Sequence, residues 1–272
     1  MTRNPTGKAV LHASLGLFRQ DPQMIWLPVL AAASAFVTFV AVAAPLVAAL
    51  GTSRVALVVA VGAASILSTA ATILFNVALV FAATDRIEGR TPTVGGSIAK
   101  AWARRTTIVK WAVLAAVVGT TVRALEQRLG IFGRLLGFAG AFAWVVATFL
   151  VIPVLAFEDL GPIEAVRRSS NLLKERFGTV ARSGLRFGVM FLAWTLAAAA
   201  VLAVGLMLVP ASPLVGVPVA AVGFFCVLAV SMYATAAGVY MRTILYRFAT
   251  NQFVPDLGVD LAATFPPSVR TF

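Results

Sequence analysis

Of the chain's 272 residues, 60% are apolar and only 12% are charged, with a formal net charge of +12. A soluble domain carries about 25% charged residues, and the apolar residues here gather into runs longer than the roughly 20 that cross a bilayer as a helix. The composition excludes a soluble globule and predicts an all-α fold, a polytopic membrane helical bundle.

In chain order, "NPTGKAVLHASLGLFRQDP" predicts an amphipathic helix over about 6–20, with Lys8, His12 and Arg19 on one face and Val10, Ala13 and Leu17 on the other. No apolar core ending in a small-residue cleavage site follows. The first span, about 24–50, is too long for a signal peptide's core and is read as retained. The second covers about 55–83 and carries a polar stripe of Ser65, Ser68, Thr69, Thr72 and Asn76. Two readings of the stripe stand side by side. One is helix-to-helix hydrogen bonding with small-residue packing; the other is a polar path for a small solute along Ser68, Thr72 and Asn76.

"RTPTVGGSIAKAWARRTTIV" predicts a second amphipathic helix over about 93–106, with Val94, Ile98, Trp102 and Val109 along one side and Lys100 and Arg104 away from it. The third span, about 108–126, borrows Ile108 and Leu125 at its ends. The fourth runs over about 131–157, and Pro153 is expected to kink it. A third amphipathic helix follows at about 162–177, with Pro162 in its first turn. Ile163, Val166, Ser170, Leu173 and Phe177 recur there at spacings of three and four, with Glu164, Arg168, Asn171 and Glu175 opposite. That layout suits a helix half sunk in a membrane surface, its basic flanks reaching phosphates. Spans at about 185–209 and 214–241 and a tail over 242–272 complete a single integral membrane domain.

Six spans return both termini to one side. Of the 22 Lys and Arg residues, all but Arg54, Arg123, Arg128 and Arg134 fall on that side, which the positive-inside rule makes cytoplasmic. The same distribution answers the net charge: basic residues flank spans, and no separate domain presents a nucleic-acid groove.

Glu158 and Asp159 are the nearest approach to an acid pair. Neighbours on a helix point about 100° apart, so the pair reads as the end of the fourth span, its charge favouring the positive start of the next helix. An ion or lipid head-group contact is the alternative. Arg167 and Arg168 stand three and four residues beyond Glu164 and can pair with it. His12 is the one histidine, which excludes paired-His zinc sites, and Cys226 is the one cysteine, which excludes an intrachain disulfide. Neither a metal nor a cofactor is expected.

Several stretches carry a family resemblance: "ASLGLFRQDPQMIWLPVLAA", "FNVALVFAA", "GRTPTVGGSIAKAW", "WAVLAAVVGTTVRALEQRLG", "VIPVLAFEDLGPIEAVRRSSNLLKERFG" and "ILYRFATNQFVPDLG". Together they resemble a family of six-span prokaryotic membrane proteins of unknown function, most specifically through a P-x-x-x-x-E exit followed by A-x-x-x-S. More distantly, the exit resembles the membrane domain attached to some bacterial glycerophosphodiester phosphodiesterases. The resemblance implies a fold and a prokaryotic inner membrane; this chain has no hydrolase domain from which catalytic residues could be carried over.

The leading expectation is a non-enzymatic protein that organises anionic lipid, or a partner protein, at the inner leaflet through Arg104, Arg105, Arg167, Arg168, Lys174 and Arg176. A passive channel or carrier, as a homo-oligomer or otherwise, is the alternative, and a membrane-embedded enzyme acting on lipid head groups is the third. Convergence of Glu158 and Asp159 with another carboxylate on one cavity would favour the enzyme.

Overall fold

A computed structural model describes residue 16 and residues 20–128, 130–177 and 181–252, with side chains inside helices described except for 123–136 and 175–190. The helix expected over 6–20, the tail beyond 252 and the Arg176 side chain lie outside the described residues. Among those described, all regular structure is helical. A 3₁₀ turn, Pro22–Ile25, leads into α1 (Trp26–Leu50), followed by α2 (Arg54–Ile87), α3 (Val94–Ala103), α4 (Arg105–Arg128), α5 (Gly130–Ala147), α6 (Val151–Phe157), α7 (Pro162–Phe177), α8 (Ala181–Leu208) and α9 (Pro213–Ala249).

Local chemistry sets several of these boundaries. Ser53 caps α2 by accepting from the Ala56 N–H at 3.2 Å, and Thr93 caps α3 by accepting from Gly96 at 3.2 Å. At the other end of α2, Gly89 takes φ +77°. The Arg90 N–H then returns to the Asp85 carbonyl and the Gly89 N–H to Arg86, a Schellman closure that only a residue tolerant of positive φ makes without strain.

The fourth span is two helices. Pro153 has no N–H for the Phe149 carbonyl, and its ring crowds that carbonyl, so the helix lapses over Thr148–Leu150 and restarts as α6. The lapse is held by α7: the fully buried Ser169 accepts from the Leu150 N–H at 3.1 Å, and Ser170 donates to the Ala147 carbonyl at 3.5 Å. The expected kink is therefore a full interruption.

Among the described residues, six stretches are long and apolar enough to cross a membrane: Pro22–Leu50, Arg54–Ile87, Arg105–Val122, Gly137–Phe157, Phe191–Leu208 and Pro213–Ala249. They pair as three antiparallel hairpins, α1 with α2, α4 with α5, which α6 continues, and α8 with α9. Within each pair, small residues let backbones approach. Ala56, Ala60 and Ala64 are the buried positions in the first half of α2, and Ser68 donates across to the Ala35 carbonyl of α1 at 2.8 Å. In the third hairpin Gly205, Gly216 and Gly223 put the two backbones in direct contact.

The hairpins come together at one end only. The shared core is built from the second half of α2 (Ala70–Ile87), from α6, from the last third of α9 (Ala236–Ala249) and from the inner faces of α3, α4 and α7. Trp111 stacks on Trp144 with centroids 5.7 Å apart, and Phe157 lies between Phe81 and Tyr246 at 5.6 Å from each. Toward the opposite end the hairpins carry large apolar side chains outward: Leu214 is 90% exposed, Val55 74% and Phe36 71%. Such a surface has no stable place in water and marks the parts that meet lipid.

α3 and α7 lie at the joined end, where the basic connections are. Their packed faces combine small residues with part of the apolar stripe. On α7 the buried positions are Ala165, Ser169 and Leu172, while Ile163 is 63% exposed. On α3 they are Ser97 and Ala101, with Trp102 59% exposed. Val109, expected on the same face as Trp102, belongs to α4 because the helix breaks at Arg104. Val94 and Ile98 of α3 and Val166 and Leu173 of α7 pack partly buried beside these positions, while Trp102 and Ile163 are turned outward.

Candidate functional site

The joined end carries a layer of ion pairs that ties all three hairpins together. Asp21, buried ahead of α1, receives Arg86 of α2 through both the Nε and Nη2 of its guanidinium. Gln23 donates to the Pro92 carbonyl at 2.9 Å, which fixes the same segment to the α2–α3 connection. Asp85 is gripped by Lys100 of α3 at 2.6 Å and by Arg90. Glu88 takes Arg90 and, at 2.8 Å, Arg247 of α9.

Glu158 closes the circuit on the far side. Both its oxygens accept from the Arg168 Nε at 3.1 Å, and Oε1 also accepts from the Tyr246 hydroxyl at 2.9 Å. Asp159, the next residue, points away: its side chain is 91% exposed and stands 3.8 Å from Arg104. These two carboxylates do not converge, and among the described residues no group of three His, Cys, Asp or Glu side chains is placed to hold a metal. Glu164 also departs from expectation. Instead of pairing with Arg167 or Arg168, it accepts from the Gly161 N–H at 2.9 Å, because the first N–H groups of a helix have no partner within it.

The chemistry of the layer is electrostatic locking. Burial on its own would raise the Glu88 carboxyl, but hydrogen bonds from Arg247 and then Arg90 outweigh it and hold the group below its ordinary 4.5. Arg90 is correspondingly held above its ordinary value, chiefly by its hydrogen bond to Asp85 and then by that to Glu88. A depressed folded-state value means that stabilisation is present above the unfolded value and lost as pH falls through the folded one. Replacing Glu88 by glutamine is therefore expected to cost about 1.5 kcal/mol near neutrality. It is also expected to flatten the loss of thermal stability below about pH 4.5, which melting curves from pH 3 to 7 of both proteins would read.

The six basic residues expected to meet lipid are divided by this geometry. Arg168 is tied to Glu158 and Arg104 lies near Asp159. Arg105 is exposed and makes a long 3.4 Å bond to the Trp102 carbonyl. Arg167 and Lys174 are exposed on α7. Each described carboxylate has a partner, while Arg105, Lys110 and Arg167 have none of opposite charge among the described residues. The polar stripe is divided as well. Ser68 bonds to α1, Thr72 bonds back to the Ser68 carbonyl at 3.1 Å, Ser65 and Thr69 face outward, and Asn76 is half-buried.

Sequence reasoning missed two groups. Arg242 and Arg247 lie inside α9, whose helix runs eight residues past the apolar run ending at Met241. Arg242 sets its guanidinium over the Phe149 ring, 5.1 Å from the centroid, beside the interruption of the fourth span. Tyr246 was the other; the spacing of Ile244, Leu245 and Phe248 beyond Met241 was the available signal that the helix continues.

The segments that carried the family resemblance are the ones this joint uses: Pro153 breaks the helix, Glu158 receives Arg168 and Tyr246, and Ala165 and Ser169 form the packed face of α7. Among curated proteins, no sequence matches significantly. A family model does match, over residues 55–254, and it bears on the six-span architecture rather than on the distant likeness to phosphodiesterase membrane domains. This membrane protein belongs to the family of unknown function DUF6159.

Proposed function

We propose that the chain is a non-enzymatic multi-pass protein of the prokaryotic inner membrane, with both termini in the cytoplasm, that binds and organises anionic phospholipid at the inner leaflet. The observation that carries this reading is the surplus of cations. Once every described carboxylate at the joined end is partnered, Arg105, Lys110 and Arg167 remain exposed and without opposite charge among the described residues. Arg167 shares α7 with the outward Ile163, and Arg105 and Lys110 open α4 just past the outward Trp102 in the last turn of α3, the combination of basic and apolar side chains that a surface segment uses to sit at a bilayer interface. α3 and α7 would then rest against the head groups with their packed faces on the core and Trp102 and Ile163 in the lipid.

Each near-surface Lys or Arg contributes about 1 kcal/mol of attraction to an anionic leaflet. The combined variant Arg105→Ala, Lys110→Ala, Arg167→Ala is thus expected to bind phosphatidylglycerol about a hundredfold less well than the natural chain. Native mass spectrometry of protein released from mixed phosphatidylglycerol and phosphatidylethanolamine nanodiscs would count the lipids retained. Equal phosphatidylglycerol retention by the two proteins would remove these residues from the role.

A further inference from the structure

Among the described basic residues of the joined end, Arg242 is in a class of its own. Arg86, Arg90, Lys100, Arg104, Arg168 and Arg247 face carboxylates, and Arg105, Lys110 and Arg167 stand at the surface. Arg242 is recessed. Its Nε is closed off from solvent with no hydrogen-bond acceptor, and it has no carboxylate partner among the described residues. What it does have is the face of Phe149 at 5.1 Å.

An arginine does not shed its proton in a protein, so this site holds a full charge. A ring face compensates a cation only in part, and a recessed charge lacking a counter-ion is strongly unfavourable. The chain therefore supplies a cation and a stacking surface and leaves the anion to come from outside. There is a way in: every residue from Ala236 to Arg247 is buried except Arg242.

Depth selects the kind of anion. α9 has 37 residues, roughly 55 Å of helix, and Arg242 lies roughly 43 Å from its start at Pro213. A hydrocarbon core is about 30 Å thick. With Pro213 in the far head-group layer and the helix tilted by about 20°, Arg242 lies roughly 41 Å across a bilayer about 40–45 Å thick with its head groups, past the acyl chains and within the near head-group layer where phosphates lie. Guanidinium groups suit phosphate oxygens through paired, charge-assisted hydrogen bonds.

We propose that Arg242, backed by Phe149 at the break in the fourth span, is a discrete site for the phosphate of one bound phospholipid. The proposal rests on the lipid-binding reading above in taking its ligand from the membrane, but it uses none of that reading's rim cations, Arg105, Lys110 and Arg167. A phosphate oxygen is the recognised group, and its source is either a lipid head group or a free phosphate ion.

The test uses the full chain from mixed phosphatidylglycerol and phosphatidylethanolamine nanodiscs. Under collisional activation that strips the remaining lipid, the natural protein is expected to keep one phospholipid. Arg242→Gln should bind it on the order of a hundredfold less tightly, and Phe149→Leu, which keeps an apolar side chain of similar reach, about fivefold less tightly. The rim triple variant should keep it. A retained lipid indifferent to both the Arg242 and Phe149 changes would overturn the site.

Should Arg242→Gln fail to fold, the natural protein in detergent decides. Saturable thermal stabilisation by short-chain phosphatidylglycerol, absent with inorganic phosphate and weakened by Phe149→Leu, supports the proposal. Equal stabilisation by inorganic phosphate, or stabilisation by neither, overturns it. Loss of the rim effect with survival of this lipid would count against the broader reading alone.

Discussion

Replacing Gly223 by leucine is expected to separate α8 from α9 and to leave little folded protein. A Cβ at position 223 would run into the backbone and side chain of Leu202, one at 205 into the backbone of Val219 and Ala220, and one at 216 into that of Leu208 and Val209. In each case the obstacle is main chain, which cannot rotate aside as a flexible side chain would. Overpacking a well-filled core costs about 1–3 kcal/mol, and a backbone-to-backbone seam leaves less room to relax, so the loss should reach or exceed about 3 kcal/mol. Because α8 packs extensively on α9 and on no other described helix, its detachment removes a whole span from the bundle. Gly62 supplies the control, since a Cβ there meets nothing within 4 Å. Gly62→Ala should be neutral or stabilise by up to about 1 kcal/mol through helix propensity. Thermal unfolding and size-exclusion profiles in detergent would read both. A Gly223→Leu protein that melts like the natural one would show that the seam does not hold the hairpin.

The second large effect is expected at Asp21. This carboxylate is 5% exposed and takes two hydrogen bonds from Arg86, whose side chain is 19% exposed. Removing one partner of a buried pair strands the other, at a cost of about 3–5 kcal/mol. Asp21→Ala should therefore be far more damaging than the double change Asp21→Ala with Arg86→Met, which takes out both charges and keeps an apolar stem in place. The double variant melting above the single one identifies the stranded guanidinium as the cause. Were the two equally unstable, the pair would matter for its shape and not for its charge.

The spans were legible because runs of apolar residues longer than the bilayer is thick leave little alternative, and the break at Pro153 followed from one missing N–H and one misplaced ring. The ends were less so. Arg242 interrupts the apolar run and so looks like the start of a tail, yet the helix continues to Ala249 because the charge is accommodated against Phe149. The faces of α3 and α7 that meet the core were legible in part. Val94, Ile98, Val166 and Leu173 of the apolar stripes do pack against the core, but Trp102 and Ile163 turn outward, and the deepest positions fall to Ser97 and Ala101 on α3 and to Ala165, Ser169 and Leu172 on α7, most of them small enough for close approach.

Glu164 illustrates a competition that spacing cannot resolve. Arg167 and Arg168 are at the right offsets for pairing, but an unsatisfied N–H at the start of α7 takes the carboxylate. The glycine seam between α8 and α9 was visible as Gly216, Ala220 and Gly223 at intervals of four and three. It became meaningful once Gly205 was found facing it. The long-range pairs, such as Glu158 with Tyr246 and Glu88 with Arg247, depend on how the hairpins converge, and no local pattern encodes that.

On the proposed function, the surplus cations of the joined end gather anionic lipid. The most direct measurement is the lipid composition of polymer discs in which the protein is cut from its native membrane, compared with that of the membrane as a whole. The account predicts enrichment of anionic phospholipid around the natural chain and its loss when Arg105, Lys110 and Arg167 are all alanine. Discs with the same composition as the bulk membrane, whichever chain they contain, would contradict it.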